Sequence, residues 1–137
     1  MKKIYSNIEK GRLLHIILRK EDVQSERMNI VDPTEFIQLA AMRFPNPKTF
    51  RAHKHLPCHK TSTATQESWV IIEGSAKAIF YDLDDTIITE EVLNKGDCSV
   101  TLYGGHTYEI LEENTLVYEY KTGPYESQEL DKEFIKS

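Results

Sequence analysis

Three of the five histidines in this chain lie within seven residues of one another, at His53, His55 and His59. In a β-strand, side chains two residues apart point to the same face, so a strand over residues 50–55 would aim His53 and His55 at one point. Imidazole nitrogens are good ligands for divalent transition metals. The spacing therefore predicts half of a metal site, although a His-x-His pair also fits an exposed polar strand.

Two further donors stand where other strands are expected to begin. Glu67 shares a strand face with the apolar Trp69, which predicts that the carboxylate points inward, where it needs a partner. His106 opens a later strand and shares its face with Tyr108. Together with the His-x-His pair, Glu67 and His106 would make a mixed nitrogen and oxygen site for one divalent ion such as Zn, Fe, Ni, Cu or Mn. Binding requires every donor to be deprotonated.

Side chains around this site are candidates for ligand contact and proton transfer. The planar guanidinium of Arg51 suits a carboxylate or phosphate, and the faces of Trp69 and Tyr120 suit stacking on a sugar ring. Core packing of the aromatic residues and a surface ion pair for the arginine are the alternatives. The candidates for proton transfer are Tyr108, Tyr118 and His59.

Strands must position these groups, and short alternating stretches of apolar and polar residues separated by Gly, Pro, Asn and Asp predict them. Even spacing of the strands favours an antiparallel all-β fold, either a sandwich or a jelly-roll barrel. The 137 residues predict a single domain, 1–137, with its core at about 36–121, N-terminal strands in 1–35 and a C-terminal tail, 122–137. The predicted strands cover residues 13–18, 28–31, 36–44, 50–55, 67–73, 76–82, 86–93, 98–102, 106–111 and 115–121.

Composition and charge narrow the classes of function. The chain carries 17 Lys and Arg against 22 Asp and Glu, a net charge of −5, so its field disfavours nucleic acid and anionic membranes as partners. Its apolar runs are far shorter than the roughly 20 residues of a membrane-spanning helix. Two cysteines without a secretory signal predict a cytoplasmic protein with reduced thiols, Cys58 exposed and Cys98 buried. The expected partner is a small molecule or another protein.

The spacing of these donors resembles the metal-binding motifs of the cupin family. The first cupin motif is His-x-His followed by a Glu, six residues and a Gly, and here six residues separate Glu67 from Gly74. The second motif begins with a Gly and ends with the last metal-binding His, which His106 after two glycines resembles. The resemblance implies a single-domain cupin jelly roll with one bound metal ion.

Two departures from the cupin pattern affect this ligand set. Eleven residues separate His55 from Glu67, more than the few that are usual in the family, and Leu102 stands where the second motif normally has Pro. His59 lies inside the longer gap. Whether His59 replaces or joins Glu67 as a ligand stays open at this point.

The end of the chain resembles a narrower group, the WbuC-type small cupin metalloproteins. The resemblance rests on residues 116–125, which end in Gly-Pro-Tyr, and on residues 131–134, Asp-Lys-Glu-Phe. Those proteins are associated with loci for O-antigen and other surface polysaccharides. The resemblance implies a cytoplasmic homodimer with a role near nucleotide-sugar or glycan metabolism.

Three functions are compatible with these observations. The favoured one is a metal-dependent enzyme acting on a sugar, nucleotide-sugar or other small polar metabolite, because an ion with open positions can polarise a carbonyl or hydroxyl group for isomerase, epimerase, lyase or oxygenase chemistry. The second is a metal-free sugar ketoisomerase or epimerase that uses a His as acid or base, since residues 50–54 resemble those cupins. The third is a non-catalytic carbohydrate-binding or sensing cupin with a closed structural ion.

Overall fold

The computed structural model describes residues 1–135, which form antiparallel β-structure with one turn of 3-10 helix (Lys20–Asp22) and one short α-helix, α1 (Gln128–Asp131). The predicted all-β class is confirmed. Among the residues described, no helix has the length and hydropathy that crossing a membrane requires. The strands are β1 (Lys2–Tyr5), β2 (Leu13–Leu18), β3 (Met28–Asn29), β4 (Ala40–Ala41), β5 (Glu67–Glu73), β6 (Ser75–Tyr81), β7 (Ile87–Asn94), β8 (Cys98–Thr101), β9 (His106–Ile110) and β10 (Leu116–Lys121).

Two sheets pack face to face as a sandwich. The larger sheet has the strand order β1-β2-β8-β5-β10, and the smaller one has the order β7-β6-β9. Alternate side chains from both sheets point into the space between them, as the period of two in a strand requires. Within residues 1–135 the sheets stay open and do not close into a barrel. The core between the sheets contains Ile4, Ile17, Ile71, Ala76, Ala78, Phe80 and Leu93.

A second apolar layer covers the outer face of the larger sheet. It joins Ile16, Val100 and their neighbours to the short β3–β4 pair and to Ile30 and Leu39. Strands β2 and β8 are therefore buried on both faces, which explains why β2 is an almost continuous apolar run in the sequence. Cys98 is buried in this layer, whereas Cys58 is exposed, as predicted.

The strand predicted over residues 50–55 does not form. All residues from 42 to 63 are exposed, and in the described chain no backbone hydrogen bond joins residues 44–65 to a neighbouring strand. Pro45, Pro47 and Pro57 supply no N–H group to a β-ladder, which weakens pairing in this stretch. Of the strand predicted over residues 36–44, only the two residues of β4 form a strand. The sequence pattern does not predict β1, because Lys2 and Lys3 interrupt the alternation of apolar and polar residues before Ile4.

Candidate metal centre

Glu67 and His106 meet at one end of the sandwich. Glu67 opens β5 in the larger sheet and His106 opens β9 in the smaller sheet, so their contact joins the two sheets across the interior. His106 Nε2 donates a hydrogen bond to Glu67 Oε1 at 3.0 Å, and the two side chains are only 23% and 14% exposed. The structure therefore brings together two of the four predicted donors, although 39 residues separate them in sequence.

The Glu67 carboxylate is held in its ionised form. Burial by itself would raise its pKa, but the hydrogen bond from His106 and the charges of His106, Lys121 and Lys132 lower the pKa below the ordinary value. The other ring nitrogen of His106, Nδ1, is buried and makes no hydrogen bond within the described part of the chain. A cation bound by the Glu67 carboxylate and His106 Nε2 would therefore replace the single hydrogen bond between these two groups.

A row of polar side chains runs across the larger sheet at this level. In the strand register, His15 lies opposite Thr101, Thr101 opposite Glu67, and Glu67 opposite Lys121. Residues directly opposite each other point to the same face of a sheet. We call this end, defined by His15, Glu67, His106 and Lys121, the polar end of the sandwich.

His15 is a buried member of the polar end and is not among the predicted site residues. Its Nε2 lies 3.0 Å from the Tyr81 carbonyl oxygen and its Nδ1 lies 3.1 Å from Thr101 Oγ1, so the neutral imidazole has a partner at each nitrogen. Burial, together with the nearby His106, lowers its pKa to about 4. A lone histidine inside the apolar run of β2 was the available signal.

An aromatic pair forms one wall beside Glu67. The rings of Trp69 and Tyr108 stack with centroids 3.9 Å apart and planes within 7°. Tyr108 Oη lies 2.8 Å from Ser99 Oγ, and Trp69 Nε1 donates to Glu119 Oε2 at 3.1 Å. Burial raises the pKa of Tyr108 well above its usual value, so its phenol stays protonated and suits a hydrogen-bond donor better than a general base.

Tyr118 and Tyr120 lie on the other face of β10. The register pairs Tyr118 with Val70 and Tyr120 with Ser68, whereas Glu119 and Lys121 share the face of Glu67. The two tyrosine side chains are 49% and 59% exposed. The prediction that Tyr118 and Tyr120 face the site is therefore wrong, because the pairing of β10 with β5 turns them outward.

The remaining predicted donors lie in the exposed segment 42–63. The rings of His53 and His55 are 5.5 Å apart, and His53 Nδ1 contacts the Arg51 carbonyl oxygen at 3.1 Å. His59 Nε2 lies 3.2 Å from Thr61 Oγ1. The structure thus shows two pairs of donors. Over residues 1–135, no group of three or more His, Cys, Asp or Glu side chains is arranged to hold a metal ion, and the four-donor site stays a prediction.

Comparison with known proteins gives no match: no family model, curated protein or solved structure is similar to this chain.

Proposed function

We propose that this chain is a small jelly-roll protein of the cupin type that binds one divalent transition metal ion through His53, His55, Glu67 and His106. In this proposal it acts on a sugar, nucleotide-sugar or similar polar metabolite of surface-polysaccharide metabolism, as a cytoplasmic homodimer. The observation that carries the proposal is the Glu67–His106 pair, a carboxylate and an imidazole joined at the interior end of a β-sandwich.

The order of the strands supports the jelly roll. Strands β5 to β10 divide equally between the two sheets, giving β8-β5-β10 in one and β7-β6-β9 in the other. A jelly roll has eight strands in two sheets, and the two sheets here also contain eight, five in the larger sheet and three in the smaller one. The outer edges of β10 and β9 are free in the sheets that the structure describes. Residues 42–63 precede β5 in the chain and are long enough to supply a further strand at such an edge.

A strand added to the free edge of β9 would lie beside His106. Neighbouring strands are about 4.8 Å apart, so His53 and His55 on such a strand would come within reach of the Glu67–His106 pair. Fixing a residue in a strand costs on the order of 1–2 kcal/mol of backbone entropy. Metal binding contributes toward this cost, because ion binding is coupled to the folding of the residues that supply the ligands. We infer that segment 42–63 becomes ordered when the ion binds.

Three imidazoles and one carboxylate are donors that divalent transition metal ions accept, and the polar end supplies two of them, Glu67 and His106. An ion held by three imidazoles and one carboxylate, with open positions, would supply Lewis-acid polarisation of a substrate oxygen. Trp69 and Tyr108 would provide a flat surface for a sugar ring, with Glu119 holding the indole through its N–H group. Arg51 and His59 would arrive with segment 42–63 and contact the polar groups of the substrate.

The test is metal content and affinity of protein purified without a nickel column. We expect about one equivalent of metal in the natural chain, and a tenfold or greater loss of affinity in each of His53→Gln, His55→Gln, Glu67→Gln and His106→Gln. Lys54→Gln is the matched control, because it lies between the two histidines and removes a charge but no ligand. Loss of metal in His59→Gln but not in Glu67→Gln would show that the donor set is different.

One observation favours the metal-free alternative. The hydrogen bond between His106 and Glu67 already forms a carboxylate-histidine pair that can transfer a proton without any ion. If the natural chain holds less than about a tenth of an equivalent of metal, this sugar isomerase or epimerase function replaces the metal-dependent one.

A further inference from the structure

The C-terminal segment, residues 126–135, crosses the polar end of the sandwich. The carboxylate of Asp131 in α1 lies 3.0 Å from Lys121 Nζ and 2.9 Å from Thr65 Oγ1. Lys121 is the residue directly opposite Glu67 in the register of β5 and β10. One end of the segment is therefore fastened beside Glu67.

The other end of the segment is fastened beside His106. Ile135 packs against the backbone of Gly105, so that its Cδ1 occupies the space that a Cβ atom at Gly105 would need. Gly105 immediately precedes His106 in the chain, and Tyr81 Cβ lies near the same position. The segment thus spans the Glu67–His106 pair from one side to the other.

Few contacts hold the segment in place. Leu130 and Phe134 are 76% and 74% exposed, and α1 has no buried residue. An apolar surface that belonged to the core would be covered, whereas here the attachment depends on the Asp131 carboxylate and the Ile135 side chain. A segment held in this way can leave the polar end without disturbing the sheets.

The partners of Asp131 form a site for an anion. The Lys121 ammonium group and the Thr65 hydroxyl group both donate hydrogen bonds to the Asp131 carboxylate. Carboxylates and phosphates accept hydrogen bonds from both kinds of donor. These contacts hold the pKa of Asp131 below its usual range. The centroid of the Tyr125 ring lies 4.5 Å from Lys121 Nζ, and Glu119 Oε1 lies 3.9 Å from the same nitrogen. Asp131 thus occupies the position that a free anion would take.

We propose that Lys121 and Thr65 form an anion subsite next to the Glu67–His106 pair, and that residues 126–135 are a tethered lid whose Asp131 fills this subsite until a small-molecule carboxylate or phosphate displaces it. The role of the subsite in catalysis rests on the proposed function, but the anion site itself does not. The substrate would then be a sugar or other polar metabolite that carries an acidic group.

Asp131 competes with a free anion at a high effective concentration, because it belongs to the same chain as the subsite. Removal of its carboxylate therefore makes the subsite available. We expect Asp131→Ala to bind inorganic phosphate at least tenfold more tightly than the natural full-length chain, measured by titration calorimetry with a chelator present. Glu129→Ala is the matched control, because it removes the same charge from the same helix without touching Lys121. Adding Lys121→Met to Asp131→Ala should abolish the gain.

Equal phosphate affinity in the natural chain, Asp131→Ala and Glu129→Ala would overturn the proposal. Asp131→Asn keeps the shape of the side chain and serves if the alanine variant does not fold. Because the chelated protein contains no metal, the phosphate result is independent of the metal stoichiometry. Tight phosphate binding by Asp131→Ala with no metal in the natural chain would keep the lid and reject the metal site, and the reverse result would reject the lid alone.

Discussion

At the residue scale, burial gives the two interior histidines different properties. His15 is fully buried with a hydrogen-bond partner at each ring nitrogen, and its pKa falls to about 4. His106 is partly exposed and donates a hydrogen bond to the ionised Glu67. The first histidine is therefore a neutral structural group, whereas the second remains available for a proton or an ion.

The lowered pKa of His15 predicts a loss of stability in mild acid. Unfolded His15 takes up a proton near pH 6.5 and folded His15 only near pH 4, so acid favours the unfolded state between these values. Asp82 opposes this shift and His106 adds to it. We expect the free energy of unfolding to fall by up to about 3 kcal/mol over this interval. Urea unfolding at several pH values measures it.

The matched variants for this prediction are His15→Gln and His59→Gln. His15→Gln is expected to be less stable at pH 7 because it disturbs the bonds to Thr101 and Tyr81, but its stability should depend less on pH. His59→Gln, in the exposed segment, should keep the slope of the natural chain. If His15→Gln left the pH dependence of the unfolding free energy unchanged, this dependence would not come from His15.

At the element scale, the turn between β5 and β6 carries the chain from the larger sheet to the smaller one. Gly74 makes this turn with φ of 73°, and the Thr115 side chain and backbone lie against its Cα. An alanine there would meet both a left-handed backbone and an occupied space. The packing of the loop before β10 therefore depends on the absence of a side chain at Gly74.

Gly74→Ala is expected to destabilise the chain more than Gly11→Ala. Gly11 also has a positive φ, 84°, but its Cβ position has no heavy atom within 4 Å, so an alanine there incurs only the backbone cost of about 1–2 kcal/mol. The additional loss in Gly74→Ala measures the contact with Thr115. Equal midpoints of urea unfolding for the two variants would show that this contact contributes nothing.

At the scale of the whole molecule, the sandwich combines a packed interior with free sheet edges. The core between the sheets and the layer on the outer face are both well packed, but the edges of β9 and β10 carry no further strand in the described chain. Residues 126–135 contact Lys121 of β10 and Gly105 just before β9, and segment 42–63 precedes β5 in the chain. Changes in ligand or metal occupancy are therefore expected to alter these two segments first.

Limited trypsin digestion tests whether metal orders the exposed segment. Without metal, we expect the first cuts after Arg51, Lys54 and Lys60, because no strand protects these bonds. A stoichiometric divalent metal should slow these cuts by roughly tenfold or more, since proteolysis follows the population of the open state. Lys77 in the centre of the smaller sheet should resist cleavage in both conditions. Equal rates with and without metal would separate this segment from the metal site.

Alternation along the chain was enough to predict most of the sandwich. Strands β2 and β5 match the predicted residues, and β6 to β10 differ from the predictions by a residue or two at their ends. The inward direction of Glu67 also followed from the sequence, because the apolar Trp69 and Ile71 share its face. A period of two is a local property, so the residues nearby suffice to detect it.

Only the tertiary structure decided which residues meet. The sequence shows that Tyr118 and Tyr120 share a face, but both faces of β10 carry apolar side chains, so only the register with β5 shows that the tyrosines point outward. Glu67 and His106 touch because two sheets stack, and Asp131 reaches Lys121 because the chain end returns to the same place. Contacts of this kind depend on the packing of distant segments, which local periodicity does not encode.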